Sequence, residues 1–324
     1  MNEIIKIMKY LKKFENHTEY EAYLEEGIIL PNVSHCITEN HVHYNPIPHD
    51  YSQDYLTFVA KEDGTFTFIS QNNNVISYST DNGTTWTEGN SIEVSNGDKV
   101  MWKGTMTPPS YDGIGRFSAT GNFDVQGNMM SLLHGDDFKG KTDLTGKNYA
   151  FYRLFYNNTK VVNSENLSLP ATTLASVCYY YMFYGCTSLT TAPELPATTL
   201  ATQCYEYMFS NCSKLTTAPE LPATTLANSC YKGMFSSCTN LTTAPSILPA
   251  TTLANSCYQY MFEGCTNLNY IKAMFTTTPS TTYTSNWVNG VASTGTFVKN
   301  SAATWDVTGD YGIPTGWTIE TASE

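Results

Sequence analysis

Four near-identical segments constrain this chain more than any other feature of it. LPATTLASVCYYYMFYGCTSLTTAPE begins at Leu169, LPATTLATQCYEYMFSNCSKLTTAPE at Leu195, LPATTLANSCYKGMFSSCTNLTTAPS at Leu221 and LPATTLANSCYQYMFEGCTNLNYIKA at Leu248, at offsets of 26, 26 and 27 residues. A degenerate earlier copy runs through Leu154-Phe155 to Leu167, with Asn158 where the others have cysteine. One such unit cannot bury an apolar face by itself, whereas a stack of about three or more can. The predicted architecture is therefore a solenoid over 148–268, with strands about 4.8 Å apart and a capped end.

Comparing the copies separates inside from outside. Leu174, Cys178, Met182, Phe183, Cys186 and Leu189 recur unchanged and form the predicted repeat core. Leu174, Cys178, Met182 and Cys186 fall every fourth residue, which predicts one face of a helix. Between them the side chains vary, as Tyr180/Glu206/Lys232/Gln259 and Tyr184/Ser210/Ser236/Glu263, and such positions point to solvent. The Thr-rich TSLTTAP then predicts a short strand ended by proline, so each repeat reads as a helix plus a strand. Tyr180, Tyr181, Tyr184, Tyr207 and Tyr260 are the candidate ligand-facing residues, because flat aromatic faces suit sugar rings.

The rest of the chain reads as separate modules. Residues 51–147 alternate apolar and polar around turns, as in YLTFVAKEDGTFTFIS and VISYSTDNGTTWTE, and predict an all-β sandwich-like domain. Residues 1–50 form a small N-terminal module and 269–324 a C-terminal cap, giving a multidomain chain with an α/β solenoid. In MNEIIKIMKYLKKF lysines interrupt each apolar run, so neither a signal peptide nor a membrane span is expected. Ile4, Ile7, Met8 and Leu11 suit one face of an amphipathic helix buried against protein. Asn16 to Glu19 has capping-box spacing.

Several activities are excluded by residue supply. The net charge is −12 with only two arginines, Arg116 and Arg153, so the cationic stripe a nucleic-acid binder needs is missing. From Leu169 to Leu268 there is no Asp, His or Arg, and the charges are four Glu and two Lys. Glu194 and Glu220 stack as a like-charged ladder that ends at Ser246 in the next repeat, and no enzyme and no cofactor are expected. His35, Cys36, His41 and His43 are a loose set without the second ligand pair of a zinc site. Asp136-Asp137 reads as a polar loop pair, and no metal is expected. Eight of the nine cysteines sit at recurring repeat positions, and are expected to be free, buried thiols.

Four resemblances follow from these residues. Ser79-Thr80-Asp81-Asn82-Gly83-Thr84-Thr85-Trp86 resembles the Asp-box of sialidases. A sialidase also needs three arginines around the substrate carboxylate, so the motif is expected to tie a hairpin only. Tyr181-Met182-Phe183-Tyr184-Gly185-Cys186-Thr187-Ser188-Leu189-Thr190 resembles the signature of BspA-like leucine-rich repeats. MKYLKKFENHTEYEAYL with ILPNVSHC is similar to an N-terminal module on virion proteins of phages of gut Bacteroidales, crAss-like phages included. GTFVKNSAATWDVTG with GIPTGWTI is similar to the end of repeat proteins from the same phages and hosts. The last two imply a head-fibre or tail-associated homo-oligomer of the virion, assembled in the host cytoplasm. They also imply attachment to other virion proteins through 1–50 and binding of host cell-surface polysaccharide or protein. A bacterial surface adhesin is the alternative.

Overall fold

The computed structural model describes residues 33–38, 41–46, 49–70, 74–108 and 113–322, and it separates 1–50 from 51–324 as two compact units. In the first unit, β1 (Val33–Thr38) and β2 (His41–Pro46) pair antiparallel, with Cys36 opposite His43 and Thr38 opposite His41. The Ile4–Leu11 face and the Asn16 cap lie outside the described residues.

Residues 51–147 form two sheets, as their alternation predicts. β3 (Leu56–Ala60), β5 (Ile76–Ser79), β6 (Thr87–Glu88), β8 (Lys99–Gly104) and β10 (Phe123–Asn128) share the first, in the order β10-β3-β8-β5-β6. β4 (Gly64–Ser70) pairs with β7 (Ser91–Val94) on one side and β9 (Gly115–Ala119) on the other to make the second. Phe58 of the first sheet meets Phe66 and Phe117 of the second at centroid distances of 5.4 and 4.7 Å. Edge-to-face contacts of this kind add to the apolar burial that joins facing sheets.

The Asp-box segment is a tied turn. Asp81 accepts from the Thr85 hydroxyl at 2.6 Å and from its backbone N–H at 2.9 Å, while Ser79 donates to it at 2.7 Å. The Trp86 indole donates to the Gly83 carbonyl at 3.1 Å, and Gly83 supplies the positive φ of 82°. The Thr85 hydroxyl and N–H, with Ser79, pull the Asp81 pKa down to about 2. Its folded value lies below the unfolded value near 3.9. The stabilisation is thus complete above about pH 4 and lost as pH falls through about 2. Melting curves of wild type and Asp81→Asn should differ near neutrality and converge below pH ~2; a constant gap across that range would refute the assignment.

The repeats depart from the predicted helix-plus-strand unit. Among the described residues only two α-helices occur, α1 (Ser131–His134) and α2 (Thr281–Thr284), and neither lies within 148–268. The four-residue spacing marks a run of tight turns with a left-handed residue at every fourth position. In the second rung those residues are Val177, Tyr181 and Gly185 (φ 62°, 57° and 71°), and in the third Gln203, Tyr207 and Asn211 (φ 59°, 53° and 62°).

Backbone hydrogen bonding explains why this geometry wins. Val177, Tyr179, Tyr181, Phe183 and Gly185 donate to the carbonyls of Thr202, Cys204, Glu206, Met208 and Ser210 in the next rung. The residues between them, Tyr180, Met182, Tyr184 and Cys186, donate three residues back, to Val177, Tyr179, Tyr181 and Phe183. Odd residues thus bond forward and even residues bond back, so buried N–H and C=O groups are paired without a helix. The same pattern recurs at 149–158, 203–212, 229–238 and 256–265. The predicted TSLTTAP strands shrink to isolated parallel bridges, Asn163↔Thr191 and Thr217↔Thr243.

Each rung sends its fixed residues inward. Phe155, Phe183, Phe209, Phe235 and Phe262 stack nearly parallel at 5.1 to 5.8 Å. Beside them runs a second column, Phe151, Tyr179, Tyr205, Tyr231 and Tyr258, at 5.5 to 6.0 Å. Leu174, Cys178, Met182, Phe183, Cys186 and Leu189 are all buried, as are Tyr179 and its equivalents, which the core prediction omitted.

The cysteines are part of this core. All eight in the repeats are free and buried. Cys186, Cys212, Cys238 and Cys265 each donate Sγ–H to a phenylalanine carbonyl one rung back, at 3.1 Å. The first rung has Asn158 at this position, and its longer amide reaches the Phe117 carbonyl on β9 at 3.1 Å. Burial pushes the Cys178, Cys238 and Cys257 thiols up to about 12 and the others in the same direction. In a Cys36→Ser variant, a disulfide reagent at pH 8 should find no reactive thiol before unfolding and all eight after it. Rapid reaction of even two native thiols would contradict the packing.

One core runs through 51–324. β11 (Val161–Asn163) and β12 (Leu167–Ser168), within the first copy, pair parallel with β10. At the far end β13 (Tyr270–Ala273), β14 (Thr296–Lys299) and β15 (Thr318–Thr321) make a parallel sheet. The indoles of Trp287, Trp305 and Trp317 donate to the carbonyls of Gly312, Phe275 and Ala292. These three residues close the last rung.

Candidate ligand-binding face

The side chains between the inward pairs form three columns across the rungs. The central column occupies the middle left-handed position of each rung: Arg153, Tyr181, Tyr207, Gly233 and Tyr260, with φ between 53° and 59°. On one side stand Tyr152, Tyr180, Glu206, Lys232 and Gln259, and on the other Tyr156, Tyr184, Ser210, Ser236 and Glu263. Aromatic residues crowd the first two rungs and thin out toward the fifth.

Contacts tie this face together. Tyr181 stacks on Tyr207 at 5.3 Å and meets Tyr180 and Tyr184 edge-on at 4.2 and 5.0 Å. Tyr152 stacks on Tyr180 at 5.6 Å and Tyr156 on Tyr184 at 5.1 Å. Burial raises the pKa of Tyr180 and Tyr207 above the ordinary tyrosine value, and like any tyrosine hydroxyl both are hydrogen-bond donors at neutral pH. Lower on the face Glu206 is buried and pairs with Lys232 at 3.1 Å and Gln203 at 2.8 Å. The Tyr207 ring lies over Gly233, where a Cβ would collide with it, and Tyr260 follows one rung on.

All five sequence-predicted tyrosines therefore lie in this region, four of them joined by ring contacts and Tyr260 beyond Gly233. Sequence reasoning missed Tyr152 and Arg153, because the degenerate first copy was recognised only from Leu154 onward, and passed over Tyr156 within it. Alignment on the Phe155/Phe183 pair would have exposed them. The Glu194/Glu220 ladder has a structural part: Glu220 accepts from the Ser246 N–H at 2.9 Å and its hydroxyl at 2.7 Å. Among the described residues no group of three or more His, Cys, Asp or Glu is placed to hold a metal ion.

A stack of short turn-built rungs, cysteine- and phenylalanine-cored and aromatic on one outer face, defines a repeat protein with a lateral surface for contacts. Residues 147–286 match the BspA type leucine-rich repeat region in six copies. The chain thus carries a BspA-type repeat region over that span. Neither curated proteins nor solved structures provide a match to the chain. The match runs on to residue 286, into the segment expected to be only a cap. There Tyr258 and Tyr260 donate to the carbonyls of Tyr283 and Ser285, and left-handed Asn286 and Gly290 continue the turn pattern.

Proposed function

We propose that this chain is a non-enzymatic recognition protein of the phage virion, a head fibre or tail-associated appendage. In this reading its solenoid of repeats presents the tyrosine face to host-cell glycan and residues 1–50 attach it to the particle. The observation that carries the binding role is the patch of mutually contacting rings, Tyr152, Tyr156, Tyr180, Tyr181, Tyr184 and Tyr207, on one outer face, with Tyr181 and Tyr207 at left-handed positions. A non-glycine residue there costs roughly 1–2 kcal/mol, and Gly233 occupies the equivalent site in the fourth rung at no such cost. Left-handed residues recur at every fourth position of the rungs, Val177 and Gln203 included, so the strain belongs to the turn ladder and the aromatic patch is what is particular to this face.

The strain also supplies a clean test. Tyr181→Gly with Tyr207→Gly relieves φ while removing the central rings, so the melting temperature should move little. Binding of the full chain to host-cell polysaccharide should fall at least tenfold, as expected for losing stacked rings worth ~1.5 kcal/mol or more. Unchanged binding by the folded double variant would remove the face from the site. The virion role rests on the terminal resemblances and is tested by mass spectrometry and immunogold labelling of purified particles. Label confined to bacterial envelopes would move the protein to the adhesin reading, which the BspA-type repeats support equally. Light scattering of the full chain would test the expected homo-oligomer.

A further inference from the structure

We infer that the ligand of this face is an acidic glycan, a sugar carrying a carboxylate that is read by Arg153; this rests on the glycan reading above. Arg153 is one of two arginines in a chain of net charge −12, and it stands in the middle of the aromatic cluster. Its guanidinium carbon lies 4.9 Å from the Tyr152 ring centroid, 4.9 Å from Tyr156 and 5.4 Å from Tyr181. The side chain is exposed, and among the described residues it enters none of the ion pairs, which join Lys61 to Asp124, Lys103 to Asp136, Lys232 to Glu206 and Lys299 to Asp306.

Those facts matter together. Ring faces hold a guanidinium through its flat surface and leave its N–H edge available for bidentate hydrogen bonding. A lysine would hold charge there but no fork. An acidic sugar on this face places its carboxylate on Arg153 and its pyranose ring on the neighbouring Tyr184. Farther along, Glu206 is already neutralised by Lys232, so it does not repel that ligand strongly.

The test uses the full chain on an array of neutral, uronate-bearing and sulfated oligosaccharides, followed by calorimetry on the hits. Wild type should favour uronate-bearing sugars over neutral ones of the same ring type by roughly 10- to 100-fold, the scale of a charge-assisted hydrogen bond. Arg153→Gln should erase that preference while leaving the melting curve in place. Arg153→Lys should recover only a minor part of it, because the fork is gone. Equal binding of neutral and uronate sugars by wild type, or a preference that survives in Arg153→Gln, overturns the inference and leaves the glycan reading standing. A signal confined to sulfated sugars overturns the carboxylate assignment. No signal on any sugar removes the inference together with the glycan reading beneath it.

Discussion

Replacing Phe209 by alanine should lower the unfolding free energy by about 3–5 kcal/mol. The ring is fully buried and lies between Phe183 and Phe235, 5.5 and 5.8 Å away and almost parallel to both. Its backbone N–H donates to Met234 one rung forward and its carbonyl accepts from Cys212 within the rung. The Cys238 thiol donates to that same carbonyl. In a stack, each unit is stabilised by its two neighbours, so a void in a middle rung weakens two interfaces rather than one. Phe209→Leu keeps much of the volume and should cost clearly less than the alanine variant. Urea unfolding of the full chain measures both. Because the core runs unbroken from Leu56 to Trp317, the repeats and the β-region should unfold together. A Phe209→Ala loss below ~1 kcal/mol, or a β-region transition that ignores it, would contradict that continuity.

Truncating Trp287 to alanine should destabilise the chain by a similar ~3–5 kcal/mol and make it associate. Trp287 stands in the sixth rung, where Met261 stands in the fifth. Its indole is buried against Tyr258, Phe262, Phe275 and Phe297, at 6.2, 6.3, 5.8 and 6.0 Å. Its N–H donates to Gly312 at 2.8 Å, pinning the returning chain over the last rung. Without it the fifth rung loses its cover, and an uncovered rung is a template for another copy. Trp287→Phe retains most of the packing and should cost about 1–2 kcal/mol for the lost hydrogen bond. The checks are thermal melts with size-exclusion chromatography across a concentration series. A Trp287→Ala protein with the wild-type elution volume at every concentration and an unchanged melting temperature would show that the cap is not held by this residue.

Much of the repeat region was legible because identical units in one chain must share an environment. Comparing the copies was enough to place Met182 and Phe183 inside and Tyr181 outside, and to read the cysteines as free thiols. The conformation of the rung was not legible. An apolar residue every fourth position suits a helix turning about 100° per residue, and it suits equally a turn that repeats every four residues. What separates them is whether the N–H of Tyr181 bonds back along its own segment or forward to Glu206. That choice depends on a neighbour 25 residues away, and local periodicity does not encode it. Gly185, Asn211 and Ser237, equivalent positions held by glycine or a small polar residue, were the visible trace of the left-handed positions.

The β-region shows the same division. Its strands and the Asp81 turn follow from alternation and from a short motif whose hydrogen bonds close within five residues. The junction at 147/148 was drawn where composition changes, yet β10 pairs with β11 and β12 across it. By itself, then, the sequence determined the existence and period of the stack, the identity of most of its core, and the tyrosines that face outward. Only the tertiary structure decided that the rungs are turn ladders, that the first copy is a full member and the stack continues past Leu268, and that Arg153 stands among Tyr152, Tyr156 and Tyr181. Side-chain identity is set residue by residue along the chain, whereas backbone pairing between rungs and the meeting of distant rings exist only once the rungs are stacked.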